Sequence, residues 1–293
     1  MDRGYGRPPT SAVLGRLAPM SDTAVTAPDD AALANLEAFR RKRDLSVRAP
    51  QGALALAATA WVSEPTTVEG VPGTWSPSPA GDGLQVTADA SDEILVDGQA
   101  VDGTAIVYGH DSMTPSSVRF DDHRTAFAVG PDFHGRFALQ VWDADAAQVR
   151  GFQRIDAYPY DASWVKHGTF EPVEGGVGFE YAKSRGGSLR QGVSPGRIRF
   201  EYEGAEVELL ALPDGDSLQI VFADATTGDE TYEVGRFLFV KPRHDGSVDL
   251  DFNRAIVPPC AMSDQFNCPL PPAGNRLSFP IRAGEQRPVF APE

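Results

Sequence analysis

The sequence has few cysteines and no long apolar run, and these absences exclude several classes of protein. Only two of its 293 residues are cysteine, too few for a fold held together by disulfides. It contains no stretch of about 18 consecutive apolar residues, so we expect no membrane-spanning helix. The segment from Arg3 to Pro19 lacks the apolar core of about 7–15 residues that a secretory signal needs. We therefore expect a cytoplasmic protein.

Basic residues are also scarce. The formal net charge is −15 at pH 7, and lysine occurs only four times. Because binding to phosphate backbones needs a basic face, this acidic balance argues against nucleic acid as a partner. The one basic cluster is Arg40-Arg41-Lys42-Arg43, and we interpret it as the solvated end of a helix.

Several catalytic and cofactor motifs are missing. The chain has no P-loop ending in Gly-Lys-Ser/Thr, no G-x-G-x-x-G after a strand, no G-x-S-x-G and no H-E-x-x-H. Its five histidines are scattered without the spacing of a zinc site. We therefore expect neither a metal nor a cofactor.

The chain divides into three parts by pattern. Residues 1–28 mix Gly, Pro and Arg without periodicity, and we expect a disordered lead-in or a start of translation at Met20 instead. Residues 29–48 predict a helix, with apolar residues spaced by three and four and basic residues near its end. Residues 49–293 predict one mainly β domain, or two that divide near 120–130.

Short strand patterns recur from about residue 84 onward. Runs of four to eight residues rich in Val, Ile, Phe and Tyr are separated by Gly, Asp and Pro. In the run at 135–143, Phe137, Leu139 and Val141 alternate and share one face. The segment at 52–62 fits a buried strand or a short helix equally well. The fold class predicted is mainly β, an antiparallel sandwich or barrel-like architecture with one N-terminal helix.

Two segments contain candidates for a pocket. His134 lies in a turn that enters an apolar strand, where loops often carry function. Tyr158, Tyr160, Asp161 and Trp164 fall within seven residues, and aromatic side chains with a few polar groups are typical of ligand pockets. The same segment also fits a packed connection whose polar tips find partners.

The C-terminal part is the most distinctive. Asp249, Asp251 and Asn253 alternate along the strand pattern at 247–253, so their side chains share one acidic face. If this face points inward, Arg236 or Arg276 is its expected partner. This pattern fits a structural network or a polar ligand site.

Cys260 and Cys268 lie eight residues apart, each beside a proline. They are candidates for reactive or paired thiols, and buried inert cysteines are the simpler alternative.

At these residues the sequence resembles the DUF1684 family of bacterial and archaeal proteins. The similarity rests on the helix and its continuation at 37–56, HGRFALQVWD at 134–143 and YPYDASW at 158–164. It rests most strongly on GRF, DFNRA, PPCA, CPLPP and NRL between 235 and 277. The similarity extends over about residues 35–290. The resemblance implies a mostly β fold and supplies neither a reaction nor catalytic residues.

Three hypotheses for function follow. The first is a protein that binds a small polar or anionic ligand in a pocket of Tyr, Trp and Arg side chains. The second is a metal-independent hydrolase or lyase, with His134 or Asp161 as general base and Arg236 stabilising negative charge. Cys260 as nucleophile is a variant of it. The third is a protein-interaction module. We expect a small-molecule partner, with no nucleic acid and no membrane, and the sequence predicts no oligomeric state.

Overall fold

The computed structural model describes residues 30–132, 134–146, 150–187 and 189–292. The predicted lead-in over residues 1–28 lies outside this range. The described chain is mostly strand and has one α-helix, α1, at Asp30–Arg48. This confirms the mainly β fold with an N-terminal helix. No helix in the described part is long and apolar enough to cross a membrane.

Nineteen strands occur in the described residues, and most are short, as expected where turn residues are frequent. They are β1 (Leu56–Val62), β2 (Thr66–Val68), β3 (Val71–Pro77), β4 (Gly83–Ala88), β5 (Leu95–Val96), β6 (Gln99–Ala100), β7 (Gly103–Tyr108), β8 (Val118–Arg119), β9 (Arg124–Val129), β10 (Phe137–Asp143), β11 (Phe152–Ala157), β12 (Val165–Ala182), β13 (Leu189–Tyr202), β14 (Ala205–Leu209), β15 (Leu212–Asp214), β16 (Ser217–Phe222), β17 (Arg236–Val240), β18 (Ser247–Asp251) and β19 (Glu285–Phe290).

Two antiparallel sheets enclose a first hydrophobic core, here called core 1. One sheet has the strand order β1-β10-β9-β8-β5-β6, and the other has the order β2-β3-β4-β7. Phe137, Leu139 and Val141 are all buried in this core, which confirms the alternation read from residues 135–143. From the facing sheet Trp75 packs edge-on against Phe120 at 6.2 Å between ring centroids. The ambiguous segment at 52–62 is resolved as strand β1.

A second core, core 2, lies between the sheet β14-β13-β12-β18 and the smaller sheet β15-β16-β17. Strands β13 and β14 are joined at Glu203 and Gly204, whose φ angles are 50° and 77°. Two successive residues with positive φ form the tight turn that matches the twist of an antiparallel pair, and glycine adopts this conformation without strain. The register of β13 and β14 is thus set by the turn at Glu203 and Gly204.

The antiparallel ribbon of β11 and β19 packs against the end of α1 and the segment before β1. Arg150 connects the three segments that meet there: its guanidinium donates to the carbonyl oxygens of Leu54 at 3.0 Å, Leu56 at 3.0 Å and Met262 at 3.2 Å. A small apolar cluster lies around this joint. It contains Val47, Leu54, Phe152, Val257 and Met262.

The sequence suggested a division of the β region near 120–130. Phe120 and Ala126 are buried inside core 1 together with residues on both sides of them, so that segment lies within one core. Along the chain, the last residue of core 1 is Val141 and the first of core 2 is Trp164. The domain division of residues 49–293 stays a prediction.

Candidate functional site

Arg236, expected to face a ligand or stabilise charge, lies inside core 2 and is 1% exposed. Its Nη2 atom is 2.5 Å from Oδ2 of Asp224, whose side chain is fully buried. The same guanidinium donates to the carbonyl oxygens of Ile281, at 2.8 Å, and Ala283. Its Nε has no partner among the described residues, yet it is buried as well. Arg236 is thus a structural residue that is closed off from any ligand.

Trp164, expected to form a pocket wall, is also part of core 2. Its ring stacks on Tyr202 with 5.6 Å between centroids and packs edge-on against Phe252 at 6.0 Å. Phe222 packs edge-on against Phe252 at 5.5 Å and lies 5.2 Å from the guanidinium carbon of Arg236. A layer of phenylalanine rings therefore separates Trp164 from Arg236, and the space predicted as a pocket between them is filled.

Three other predicted residues do meet. The Asn253 side chain accepts a hydrogen bond from the backbone N–H of Asp161 at 2.9 Å and donates to the Asp161 carbonyl oxygen at 2.9 Å. It also donates to Oδ1 of Asp251 at 3.0 Å. Asn253 is 1% exposed, so these bonds are shielded from water. Asn253 fastens the loop around Asp161 to the end of β18.

The acidic face at the end of β18 has partners other than the expected Arg236 and Arg276. Asp251 pairs with Arg254, with 3.2 Å between Oδ2 and Nε. Asp249 pairs with Arg243 and with the Nδ1 atom of His167. The face is therefore an ion-pair network made with neighbouring residues.

Tyr158 takes part in a surface network. Its hydroxyl donates to Oε2 of Glu230 at 2.8 Å, and Arg282 binds both carboxylate oxygens of Glu230. The hydrogen bonds from Arg282 and then Tyr158 lower the pKa of Glu230 to about 2. Glu230 therefore stays ionised down to acid pH, and the Tyr158 hydroxyl is engaged by a protein partner.

The remaining candidates are spread over the surface. His134 is exposed in the turn before β10, on core 1. Asp161 and Arg276 are exposed on core 2, and Tyr160 is half-buried next to Asp161. The proposed catalytic set of His134, Asp161 and Arg236 thus occupies an exposed turn of core 1, an exposed loop of core 2 and the interior of core 2. These positions do not form one active site.

Cys260 and Cys268 are brought together as free thiols. The backbone N–H of Cys260 donates to Sγ of Cys268 at 3.3 Å. Cys260 is half-buried and Cys268 is buried, so the two sulfurs differ in their access to solvent. The two cysteines are therefore a predicted pair in which one residue, Cys260, is still partly open to solvent as a free thiol.

The basic end of α1, expected to be solvated, is partly buried. Arg40 donates from Nη2 to the carbonyl oxygen of Tyr158 at 2.6 Å. Arg43 donates to the carbonyl oxygen of Val257 at 3.0 Å, and its Nε lies 3.2 Å from Oε1 of Glu285. Two members of the cluster therefore anchor α1 to core 2 instead of pointing into water.

These anchors line an open cleft of about 490 Å³ between α1 and the β11–β19 ribbon. Its apolar surface includes Leu45 and Ile155. We call it the arginine cleft, and its charged members are Arg40, Arg41, Arg43, Asp44, Arg154 and Glu285.

The cleft is positive although the protein is acidic. Four guanidinium groups and two carboxylates line it, and Asp44 is held by Arg48 at 2.9 Å. Arg43 pairs with Glu285, Arg41 with Glu37 and Arg154 with Asp156, so the positive excess of the cleft comes from Arg40. Burial raises the pKa of Glu285, against the opposing influence of Arg43. Burial lowers the pKa of Arg40, while the charge of Glu285 raises it. Because guanidinium remains charged at any physiological pH, the cleft keeps an excess of positive charge.

The spacing of residues along α1 predicts this orientation of the arginines, although the net charge of the chain does not. Leu36, Arg40, Arg43 and Val47 are spaced by four, three and four residues, so they share one face of α1. Leu36 and Val47 are buried. Arginines on the same face as buried apolar residues cover that apolar surface with their stems and present their charged ends at its border.

Residues 150–286 match the family model of DUF1684, described as a protein of unknown function. The match confirms the resemblance over these residues, which include core 2 and the thiol pair but neither α1 nor core 1. The chain is also similar to an uncharacterized protein of Haloarcula marismortui solved by solution NMR. The two are 29% identical over 46% of this chain and 77% of that chain, with a TM-score of 0.38. No curated protein matches the chain.

Proposed function

We propose that the protein binds a small amphiphilic anion, with one acidic head group and a short apolar body, in the arginine cleft. The observation that carries the proposal is a positive cleft on a chain of net charge −15. Since most of the surface repels anions, such a cleft selects where an anion binds. Guanidinium groups bind carboxylates and related anions with strong, often bidentate hydrogen bonds.

The head group is best matched by Arg40 and Arg154. Arg40 donates to one carbonyl oxygen and Arg154 to one carboxylate, and a guanidinium has five N–H donors, so both retain donors. Arg43 is more fully engaged by Glu285 and Val257. We therefore assign Arg40 and Arg154 to the ligand and Arg43 to the support of α1.

The apolar body of the ligand is matched by Leu45 and Ile155. Leu45 is 71% exposed on α1, and Ile155 lies opposite it on β11. An apolar chain laid between them removes apolar surface from water, which is favourable by about 25 cal/mol per Å² buried. A volume of about 490 Å³ suits a small molecule.

Isothermal titration calorimetry with 1-hexanesulfonate, a probe whose charge is constant with pH, tests the proposal. Inorganic sulfate supplies the charge alone and hexanol the apolar tail alone, so both are expected to bind more weakly. Arg154→Gln is expected to weaken hexanesulfonate binding by about tenfold, because one charge-assisted hydrogen bond is lost.

Arg119→Gln is the matched control, since Arg119 is a half-exposed arginine of core 1 that pairs with Asp122. It is expected to leave the affinity unchanged. Equal weakening by both variants would mean that net charge alone attracts the probe, and equal binding of hexanol would remove the anion from the proposal. The cytoplasmic location stays a prediction.

A further inference from the structure

The thiol pair lies on the outer side of the sheet β15-β16-β17, away from the arginine cleft. Cys268 packs against Val221 of β16 and Phe237 of β17. Cys260 lies in a short 3-10 helix, Pro259–Ala261, and its N–H points at the Cys268 sulfur. The chain between Cys260 and Cys268 therefore turns back, so that the two thiols lie side by side.

Only one of the two thiols borders open space. Cys260 lines a cleft of about 740 Å³ whose other walls include Met262 and Phe290. Cys268 is 5% exposed and lies behind it. A reagent that enters the cleft therefore meets Cys260 first, and Cys268 is positioned to react with whatever forms on Cys260.

The hydrogen bonds around the pair favour a thiolate on Cys260. The bond from the Cys268 thiol, and then those from the hydroxyls of Tyr232 and Ser184, outweigh burial and lower the pKa of Cys260 to about 7. The Tyr232 hydroxyl also donates to the Cys260 carbonyl oxygen at 3.2 Å. Cys260 itself, together with burial, raises the pKa of Cys268. Of the two sulfurs, the hydrogen bonds therefore favour the thiolate on the accessible Cys260 and the thiol on the buried Cys268.

Other charged groups face the pair from each neighbouring segment. Lys183, beyond the end of β12, acts on Cys268 and favours its thiolate. Glu233 acts on Tyr232 and raises its pKa further. Arg150 and Asp264 line the cleft itself. The cleft therefore has one cation and one anion at its wall, and no excess of charge opposes a neutral reagent there.

We propose that Cys260 and Cys268 form a redox-active dithiol that reduces hydroperoxides entering the cleft. The Cys260 thiolate attacks one peroxide oxygen: an S–O bond forms, the O–O bond breaks, and the departing oxygen takes a proton and leaves as alcohol or water. Cys260 is then a sulfenic acid.

The second step uses the buried thiol. Cys268 attacks the Cys260 sulfur: an S–S bond forms, the S–O bond breaks, and the hydroxide leaves as water with the proton of Cys268. One dithiol and one hydroperoxide thus yield one disulfide, one alcohol or water molecule, and one further water molecule. A neighbouring thiol captures the sulfenic acid before further oxidation.

Intact-mass spectrometry of the full chain, treated with one equivalent of hydrogen peroxide, tests the proposal. The wild type is expected to lose about 2 Da, as a disulfide requires. Cys268→Ser is expected to stop at the sulfenic acid, which dimedone traps at Cys260. Cys260→Ser is the matched control and is expected to form neither a disulfide nor a dimedone adduct. A wild type that remains a dithiol, or dimedone labelling of Cys268 in the Cys260→Ser variant, would overturn it.

The rate of alkylation by iodoacetamide against pH gives a second measurement. Cys260 is expected to reach its half-maximal rate near pH 7, and to react about tenfold faster at pH 7 than Cys268. Tyr232→Phe removes one donor and is expected to move the midpoint upward while the fold is kept. A wild-type midpoint near that of a free cysteine would show that Cys260 is not activated. This result does not depend on the arginine cleft.

Discussion

The arginines of this protein occupy two different environments, the interior of core 2 and the border of an open cleft. Arg236 is enclosed by core 2, with Asp224 and three carbonyl oxygens as partners. Arg40 and Arg43 leave α1 at the border of an open cleft, and Arg40 uses few of its donors within the protein. The residue type is the same in both places. What separates a structural arginine from a binding one is whether the protein has engaged most of its donors and closed it off from water.

The comparison also explains why Arg236 contributes to the fold. A buried guanidinium loses its hydration, and only well-placed partners offset that cost. Asp224 is itself supported by hydrogen bonds from the Thr226 backbone N–H at 2.8 Å and hydroxyl at 2.6 Å. Removing either charge leaves the other buried without a counterpart, whereas removing Arg154, whose partner Asp156 is partly exposed, leaves no such defect.

The largest effect is expected for Arg236→Leu. The change leaves the Asp224 carboxylate buried and unpaired, so the free energy of unfolding is expected to fall by about 3–5 kcal/mol. Urea unfolding measures it, with Arg119→Leu as the exposed control within about 0.5 kcal/mol. Arg236→Lys keeps the positive charge without the planar guanidinium, so its free energy of unfolding is expected to lie between those of the wild type and Arg236→Leu. A loss below about 1 kcal/mol for Arg236→Leu would contradict the structural role.

A smaller effect is expected for Asn253→Ala. The backbone N–H and carbonyl of Asp161 lose a buried partner, so the unfolding free energy is expected to fall by about 1–3 kcal/mol. Asn35→Ala, at an exposed position of α1, is the control and should be nearly neutral. Binding of hexanesulfonate should not change, because Asn253 does not line the arginine cleft. Weakened binding in a folded Asn253→Ala variant would mean that the two regions are coupled.

The smallest effect is expected for the pH dependence of binding. Burial raises the pKa of Glu285 above its ordinary value, so this carboxylate takes up its proton at a higher pH than an exposed glutamate does. Because protonation of Glu285 removes one negative charge from the cleft, the affinity for hexanesulfonate is expected to rise about threefold.

Glu285→Gln is neutral at every pH and is expected to bind with the low-pH affinity throughout. Asp156→Asn, which changes the exposed carboxylate beside Arg154, is the control and should keep the slope. An unchanged slope in Glu285→Gln would assign the pH dependence to another group.

Much of the fold was predictable because its causes are local. Alternation at Phe137, Leu139 and Val141 marked a strand with one buried face. The connection between β15 and β16 likewise contains Gly215, whose φ is 54°, a conformation that glycine adopts without strain. These patterns depend on neighbours within a few residues, so the sequence carries them in full.

The candidate site was less predictable because its contacts are distant in sequence. The pairing of Arg43 with Glu285 joins residues 242 positions apart. The hydrogen bond from Arg40 to Tyr158 spans 118 positions. The sequence could name the thiols Cys260 and Cys268 as a pair, since only eight positions separate them.

The sequence by itself determined the strands, the helix, the turns and an acidic chain with few thiols and many arginines. The tertiary structure decided which of those arginines are sealed in a core and which face a cleft, and which of the two thiols meets solvent. The physical reason is that ionisation and hydrogen-bonding capacity depend on burial and on the partners that surround a group. Those partners come from strands and loops brought together only when the chain is folded.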